Sequence, residues 1–319
     1  MTFVKISSRI NDMLNISYPL ICAPMANVTG GLLATKVTEA GGLGLIGSGY
    51  CNTQWLETQL NVATPGMFGV GFITWRLAEN PSILDLALKN KPRAVWLSFG
   101  EIEPFTEKIK DANVPLICQV QNVKQAKECK AQGADIIVAQ GTEAGGHGAN
   151  RSLMALIPSV ADAVTPLPVM AAGGISDARG FAAAFILGAE GVVMGTRFLA
   201  CEESLASDYA KTSVVNSSGD NTIRTSIFDY GRGYDFPKPY TARSLENQFI
   251  NRWQTKKFLS EEDKEQLKKE YQQSVMEGID EDLAVFAGEG IDLIHNISPA
   301  KIIMEQLVCD LHNIKVNVS

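Results

Sequence analysis

The chain has 319 residues, 45% of them hydrophobic and 20% charged, with 28 glycines and a mean hydropathy of +0.03; this composition excludes disorder, coiled coil and collagen as global architectures. Lys and Arg number 28 against 35 Asp and Glu, a net charge of −7 with an isoelectric point near 5.2, so the chain lacks the basic footprint of a nucleic-acid partner. The length admits two ordinary domains or one large α/β barrel, which commonly takes about 250 residues.

The N-terminal run Met1-Thr-Phe-Val-Lys-Ile-Ser-Ser-Arg9 has no uninterrupted apolar core and no small-residue cleavage site, and no secretory signal is expected. From there, short runs rich in Val, Ile and Leu begin near Leu20, Leu43, Phe68, Ala94, Val114, Asp135, Pro168 and Gly191. Their apolarity is continuous rather than alternating, as in parallel strands covered on both faces. Helical patterns fill the intervals at Gly31 to Ala40, Ser82 to Lys89, Phe105 to Asp111, Val123 to Gln132 and Ala178 to Leu187, with Gly133 and Gly188 placed as C-terminal stops. Eight strand-and-helix units predict an α/β fold of the (β/α)8 barrel type, with a doubly wound open sheet as the other architecture such a pattern allows. After the eighth strand, residues 204–239 are rich in polar and turn residues and residues 260–277 read as a charged helix that Ser260 and Asp263 open as a capping box. Residues 299–313 read as an amphipathic closing helix. The expected layout is therefore a barrel core over 1–201, rejoined by 291–319, with a helical insertion over 202–290. Apolar stretches such as Val192 to Met194 fall far short of a membrane span. The six cysteines are scattered without a CxxC pair, which argues against zinc or a disulfide framework and suits a cytoplasmic protein.

In a barrel of parallel strands the chemistry sits in the loops after the strands. The seventh strand ends in Ala172-Gly173-Gly174-Ile-Ser-Asp177 and the eighth in Met194-Gly195-Thr196-Arg197. Small residues at both points let backbone amides and a helix N-terminus approach an anion, which predicts a phosphate cradle; the plainer alternative is a pair of tight turns. The sixth strand runs into Gln140-Gly141-Thr-Glu143-Ala-Gly145-Gly146-His147-Gly148. Its glycines leave His147 unshielded, making it the candidate acid or base, with Glu143 as a candidate carboxylate to orient it. Ala23-Pro24-Met25-Ala26, after the first strand, leaves room for a planar ligand. Gln119 and Gln140 end the fifth and sixth strands and can hydrogen-bond inward. Cys22 and Cys118 read as small buried hydrophobes, and His295 and His312 as structural. No pair of His or carboxylates has a metal-ligand spacing.

These motifs, Ala23-Pro-Met25, Ala40-Gly-Gly-Leu-Gly44, Gly141-Thr-Glu-Ala-Gly-Gly-His147, Ala172-Gly-Gly-Ile175 and Met194-Gly-Thr-Arg-Phe198, appear in an order that resembles nitronate monooxygenases, formerly 2-nitropropane dioxygenases. Phe286-Ala-Gly-Glu-Gly290 and Ile297-Ser-Pro-Ala300 extend the likeness to the C-terminal region. The resemblance implies an FMN enzyme that oxidises alkyl nitronates with dioxygen to a carbonyl compound and nitrite. By that likeness Ala172, Gly173, Gly174, Gly195 and Thr196 hold the FMN phosphate, and Ala23, Pro24, Met25 and Ala26 line the isoalloxazine. Gln119, Gln140, Gly145 and Gly146 add polar or backbone contacts, and His147 abstracts the α-proton of a nitroalkane or holds the nitronate. The chain departs from the pattern at Phe68-Gly69-Val70-Gly71-Phe72, where some members carry asparagines. The same loops are similar to those of flavin-dependent enoyl-thioester and quinone reductases that use NADH or NADPH, which is the alternative reading. A catalytically silent phosphate-ligand barrel is a third. The expected partners are a small nitronate and dioxygen, with no nucleic acid and no membrane, in a monomer or homodimer.

Overall fold

A computed structural model describes residues 8–256 and 258–314; the N-terminal run expected to lack a signal, apart from its last two residues, and the final residues 315–319 of the expected closing segment lie outside the described residues. Eight parallel strands close on themselves: β1 (Leu20–Cys22), β2 (Leu43–Gly47), β3 (Gly69–Ile73), β4 (Val95–Ser98), β5 (Leu116–Val120), β6 (Ile136–Gln140), β8 (Val169–Ala172) and β9 (Gly191–Met194). Leu20, Ile21 and Cys22 pair with Val192, Val193 and Met194, which joins the last barrel strand to the first and rules out the open sheet. Each strand begins within two residues of the position read from its apolar run. The expected helices form as Gly31–Glu39, Ser82–Lys89, Glu103–Asp111, Val123–Ala131 and Ala178–Ile186. Gly133 and Gly188 follow two of them with φ near 94° and 101°, the left-handed stop that glycine takes without a Cβ clash.

Alternate strand residues divide between two environments. Ile21, Leu43, Leu45, Trp96, Ile117, Val138 and Met170 pack inside the barrel. Their neighbours Val70, Phe72, Leu97, Cys118 and Val120 pack outward under the helices. The helix Arg9–Leu14 plugs the end of the barrel that β1 enters: Ile10 and Leu14 are fully buried in the interior cluster, and Arg9 pairs with Glu190. Burying two such side chains contributes about 1.5–3 kcal/mol each. The helix Ala300–Asn313 lies beside Gly31–Glu39 and Ala178–Ile186 and completes the outer ring.

Within residues 202–290 the helix read from the sequence forms as Glu261–Glu277, with its capping box from Ser260 and Asp263. They also contain two strands that the sequence reading did not anticipate, β10 (Thr222–Thr225) and β11 (Thr241–Leu245). With β7 (Gly146–Gly148) these make an antiparallel sheet in the order β10, β11, β7. Ile227, Phe228, Phe249, Trp253, Leu267 and Tyr271 give this part of the chain its own small core. Among the described residues no helix is long and apolar enough to cross a membrane, and no group of three or more His, Cys, Asp or Glu is placed to hold a metal ion.

Candidate active site

The loops after the strands enclose one deep cleft of about 1300 Å³, counting the part open to solvent. Every residue singled out for cofactor binding lines it. Ala23, Pro24, Met25 and Ala26 from the loop after β1, Gln119 and Gln140 from β5 and β6, Gly145, Gly146 and His147 from the loop after β6, and Ala172, Gly173, Gly174, Gly195 and Thr196 from the ends of β8 and β9 all line it. The loop after β1 packs close against β2 and β3 because two strand residues lack a Cβ. A Cβ at Gly71 would meet Pro24 Cβ at 2.3 Å, and one at Gly47 would meet the Met25 carbonyl oxygen at 2.5 Å. Gly47 of β2 and Gly71 of β3 therefore give room to the β1 loop; they do not open a gap.

In one respect the structure departs from the phosphate cradle expected from the sequence. The N-terminus of Ala178–Ile186 is already filled by Asp177, whose carboxylate accepts from the amides of Arg179 and Gly180. The amides of Gly174, Gly195, Thr196 and Arg197, in contrast, make no hydrogen bond to the described residues. Gly174 has φ of +66°, the left-handed region in which a side chain is strained. At Gly195 a Cβ would meet nothing closer than Met25 Sδ at 3.6 Å, so a ligand can approach the main chain there. Bare amides converging beside small residues suit an anionic oxygen cluster. Thr196 also accepts, through Oγ1, from the amide of Gly288 at 3.0 Å, which brings the Phe286-Ala-Gly-Glu-Gly290 turn over the cradle.

His147 lies at the centre of β7, opposite Ala242 of β11. Two arginines, Arg243 buried and Arg224 half-buried, secure its loop. Arg224 donates to the carbonyls of Thr142, Ala144 and Thr241 at 3.0, 3.1 and 2.7 Å, and Arg243 donates to the Thr142 carbonyl at 2.9 Å. Burial, with the neighbouring charge of Arg243, pushes the Arg224 guanidinium down to about 10. The His147 main-chain carbonyl accepts from Gln140 Nε2 at 3.0 Å. Gln140 Oε1 in turn accepts from Gln119 at 2.9 Å and from Gln121 at 3.0 Å. Gln119 and Gln140 thus hold the histidine's backbone as well as lining the cleft, a pairing that Gln121 completes.

Glu143 does not orient His147. Its carboxylate accepts from the amide of Leu153 at 3.0 and 3.1 Å and caps the helix Leu153–Val164. The partner of His147 is Asp229, with Nε2 to Oδ1 at 2.8 Å, and the two side chains are 9% and 2% exposed. An ionised carboxylate only accepts, so the contact puts the imidazole proton on Nε2 and leaves Nδ1 as the acceptor. Asp229 Oδ2 is buried without a hydrogen-bond partner among the described residues. Phe236 stacks on the imidazole at 3.5 Å with a 6° tilt and covers one face. The helix Ile227–Arg232 carries Asp229 and is anchored through Phe228 on Phe249 and Tyr271, with ring centres 6.1 and 5.9 Å apart. The sequence offered a single cue for Asp229, a lone acid in the aromatic run Ile227-Phe-Asp-Tyr230.

The cysteines and remaining histidines lie away from this chemistry. Cys22 and Cys118 are fully buried, and burial pushes the Cys22 thiol up. His295 lies outside the barrel next to Asn296, and His312 lies in the helix Ala300–Asn313.

A closed parallel barrel with a ligand cleft of this form at its loop face is a frame used by oxidoreductases that carry a flavin, and comparison with known proteins places the chain in that class. The family profile described as nitronate monooxygenase matches residues 72–310, and the chain belongs to the nitronate monooxygenase family. A probable nitronate monooxygenase of Staphylococcus aureus (strain JH9) is 34% identical, with 76% of this chain and 79% of that protein covered. Among solved structures, FabK from Thermotoga maritima is similar with 31% identity and a TM-score of 0.84, covering 96% of each chain. A nitroalkane oxidase from Streptomyces ansochromogenes is similar with 25% identity and a TM-score of 0.80, covering 96% of this chain and 98% of that one.

Proposed function

We propose that the protein oxidises alkyl nitronates, and nitroalkanes after removal of their α-proton, with FMN as cofactor and dioxygen as oxidant, giving a carbonyl compound and nitrite. The observation that carries this reading is the buried His147–Asp229 pair opening on the cleft. FMN fits the residues present. The bare amides of Gly174, Gly195 and Thr196 would hold its phosphate, the Ala23 to Ala26 wall would lie against its ring, and Gln119 and Gln140 would meet its polar edge. When bound, FMN supplies the electron acceptor and the reaction with dioxygen.

The chain's own residues then have distinct tasks. His147 Nδ1 takes the α-proton from the carbon bearing the nitro group, leaving the anionic nitronate. Asp229 fixes the tautomer that makes Nδ1 the base and balances the imidazolium that forms. Phe236, Phe99 and Phe286 wall the imidazole from water. With a preformed nitronate no proton need move, and His147 serves only to position the anion.

The likeness to FabK supports a second reading, a flavin reductase that draws its electrons from NADH or NADPH and acts on an enoyl thioester or a quinone. One experiment separates the two. The purified holoenzyme is mixed anaerobically with ethyl nitronate and, separately, with NADH and with NADPH, while the visible flavin bands are followed. Bleaching by the nitronate alone, with nitrite formed once air is admitted, is the expected result. Bleaching only by a pyridine nucleotide would refute nitronate oxidation and establish the reductase.

A further inference from the structure

Phe236 packs against Phe99, Trp75, Tyr240 and His147, and the last contact differs in kind from the others. Phe99, Trp75 and Tyr240 stand at steep angles to it, with ring centres 5.3, 5.7 and 6.3 Å away and planes inclined by 77°, 84° and 85°. Edge-to-face contacts of this form are what neutral rings prefer. His147 instead lies flat on Phe236, with ring centres 3.5 Å apart and planes 6° from parallel. So short a separation leaves almost no lateral offset, and a face-to-face sandwich sets the negative face of one neutral ring on that of the other. A cation over the same face is attracted by that charge. The overlap therefore suits the imidazolium better than the neutral imidazole.

The contact is held firmly. Phe236 is 7% exposed, whereas Asp235 and Lys238 on either side of it are exposed. It sits in the segment between the helix Ile227–Arg232 and β11. Tyr240, in the same segment, accepts through its hydroxyl from Gln125 Nε2 at 2.8 Å and packs its ring on Phe99 at 5.0 Å, which ties the segment to the barrel. Burial strengthens the attraction between a cation and a ring face, because little water competes for the charge.

Resting on the nitronate reading above, we propose that Phe236 is a positioning residue that acts by charge as well as by shape. Its ring face stabilises the imidazolium formed when His147 Nδ1 takes the α-proton, the electron pair of the broken C–H bond staying with the substrate as the nitronate. Asp229 supports the same cation through Nε2, so the charge is met at the ring edge by a carboxylate and at the ring face by a π-system. The other charged and titratable groups nearby are Arg232, across Phe286 on the same helix as Asp229, and the hydroxyls of Tyr50 and Tyr240, bonded to Arg232 and Gln125. A change confined to the ring electrons of Phe236 alters none of them.

Fluorination supplies that change, because it withdraws charge from the ring face with little change of shape. Para-fluorophenylalanine and trifluorophenylalanine are placed at position 236 of the holoenzyme, and Phe236→Leu provides an apolar cover without a ring face. Anaerobic flavin reduction by nitroethane is expected to slow by about threefold and about tenfold along the fluorinated pair and by about tenfold in Phe236→Leu, while reduction by ethyl nitronate changes by less than about twofold. A second readout needs no turnover. In NMR of histidine-labelled holoenzyme, the His147 signal is identified among those of the three histidines by its loss in His147→Gln. The pH at which that imidazole takes up its proton is expected to fall by about one unit from phenylalanine to trifluorophenylalanine. A rate on nitroethane, or a protonation midpoint, that stays flat across the fluorinated pair overturns the proposal even if Phe236→Leu is slow, because packing alone would then account for the ring. Equal slowing on nitroethane and ethyl nitronate overturns it as well. A holoenzyme bleached only by NADH or NADPH would refute the nitronate reading, and a midpoint that still falls along the pair would uphold the imidazolium contact.

Discussion

Asp229→Asn is the most informative single change. The amide has nearly the shape of the carboxylate, so the helix Ile227–Arg232 and the stack of Phe236 on His147 have no steric reason to move. What changes is the charge beside an imidazole that is 9% exposed. Two unit charges about 4 Å apart at an effective dielectric near 20 attract by about 4 kcal/mol. That attraction is realised only when His147 carries the proton taken from the substrate, so its loss falls on the proton-transfer step. The Asn oxygen can still accept from Nε2 and recover part of it, leaving a penalty of about 2–4 kcal/mol, or roughly thirty- to nine-hundred-fold in rate. Oxygen consumption with nitroethane should therefore fall by that factor, while oxidation of preformed ethyl nitronate should fall much less, because no carbon-bound proton moves. Flavin content and melting temperature measured on the same preparation separate a chemical effect from a folding one. Equal losses on both substrates, or full activity on nitroethane, would refute the role assigned to Asp229.

His147→Ala should retain FMN yet lose activity on neutral nitroalkanes by about 100-fold or more, the usual contribution of a positioned base, and lose less on nitronates; steady-state oxygen uptake on both substrates checks it. Gly174→Asp should weaken FMN binding, because φ of +66° strains any side chain there and a carboxylate adds like charge beside the phosphate; flavin retained through gel filtration unchanged from wild type would put the cradle elsewhere. Arg224→Ala removes three donors from the carbonyls of Thr142, Ala144 and Thr241 and should cost about 2–4 kcal/mol of stability, read as a lowered urea midpoint. In thiol labelling Cys309, which is exposed, should react in the native protein, whereas Cys22, Cys51, Cys118 and Cys201, all buried, should react only on unfolding.

Much of the barrel was legible in the sequence because it rests on local signals. Runs such as Leu43-Gly-Leu-Ile-Gly47 are apolar on both faces, and a strand covered on both sides has no other environment to occupy. Gly133 and Gly188 mark helix stops because a left-handed residue without a Cβ costs least. The glycine loops and His147 were legible for a related reason. A barrel of parallel strands turns all its βα loops toward one end, so order along the chain already implies convergence in space.

The partners of those residues were not legible. Asp229 lies 82 positions from His147 and meets it only because β11 pairs with β7 and Phe228 anchors the intervening helix on Phe249 and Tyr271. Glu143 was the nearer acid in sequence, but its carboxylate caps the helix Leu153–Val164. Arg232 carried no signal in the sequence and comes to line the cleft through its packing against Tyr50, Tyr234 and Phe286. The local chain determined strands, turns and the loop that carries the histidine, since these depend on residues a few positions apart. Which acid faces that histidine only the tertiary structure decided, because the contact joins residues 82 positions apart and is made by a helix that the pairing of β11 with β7 helps to place.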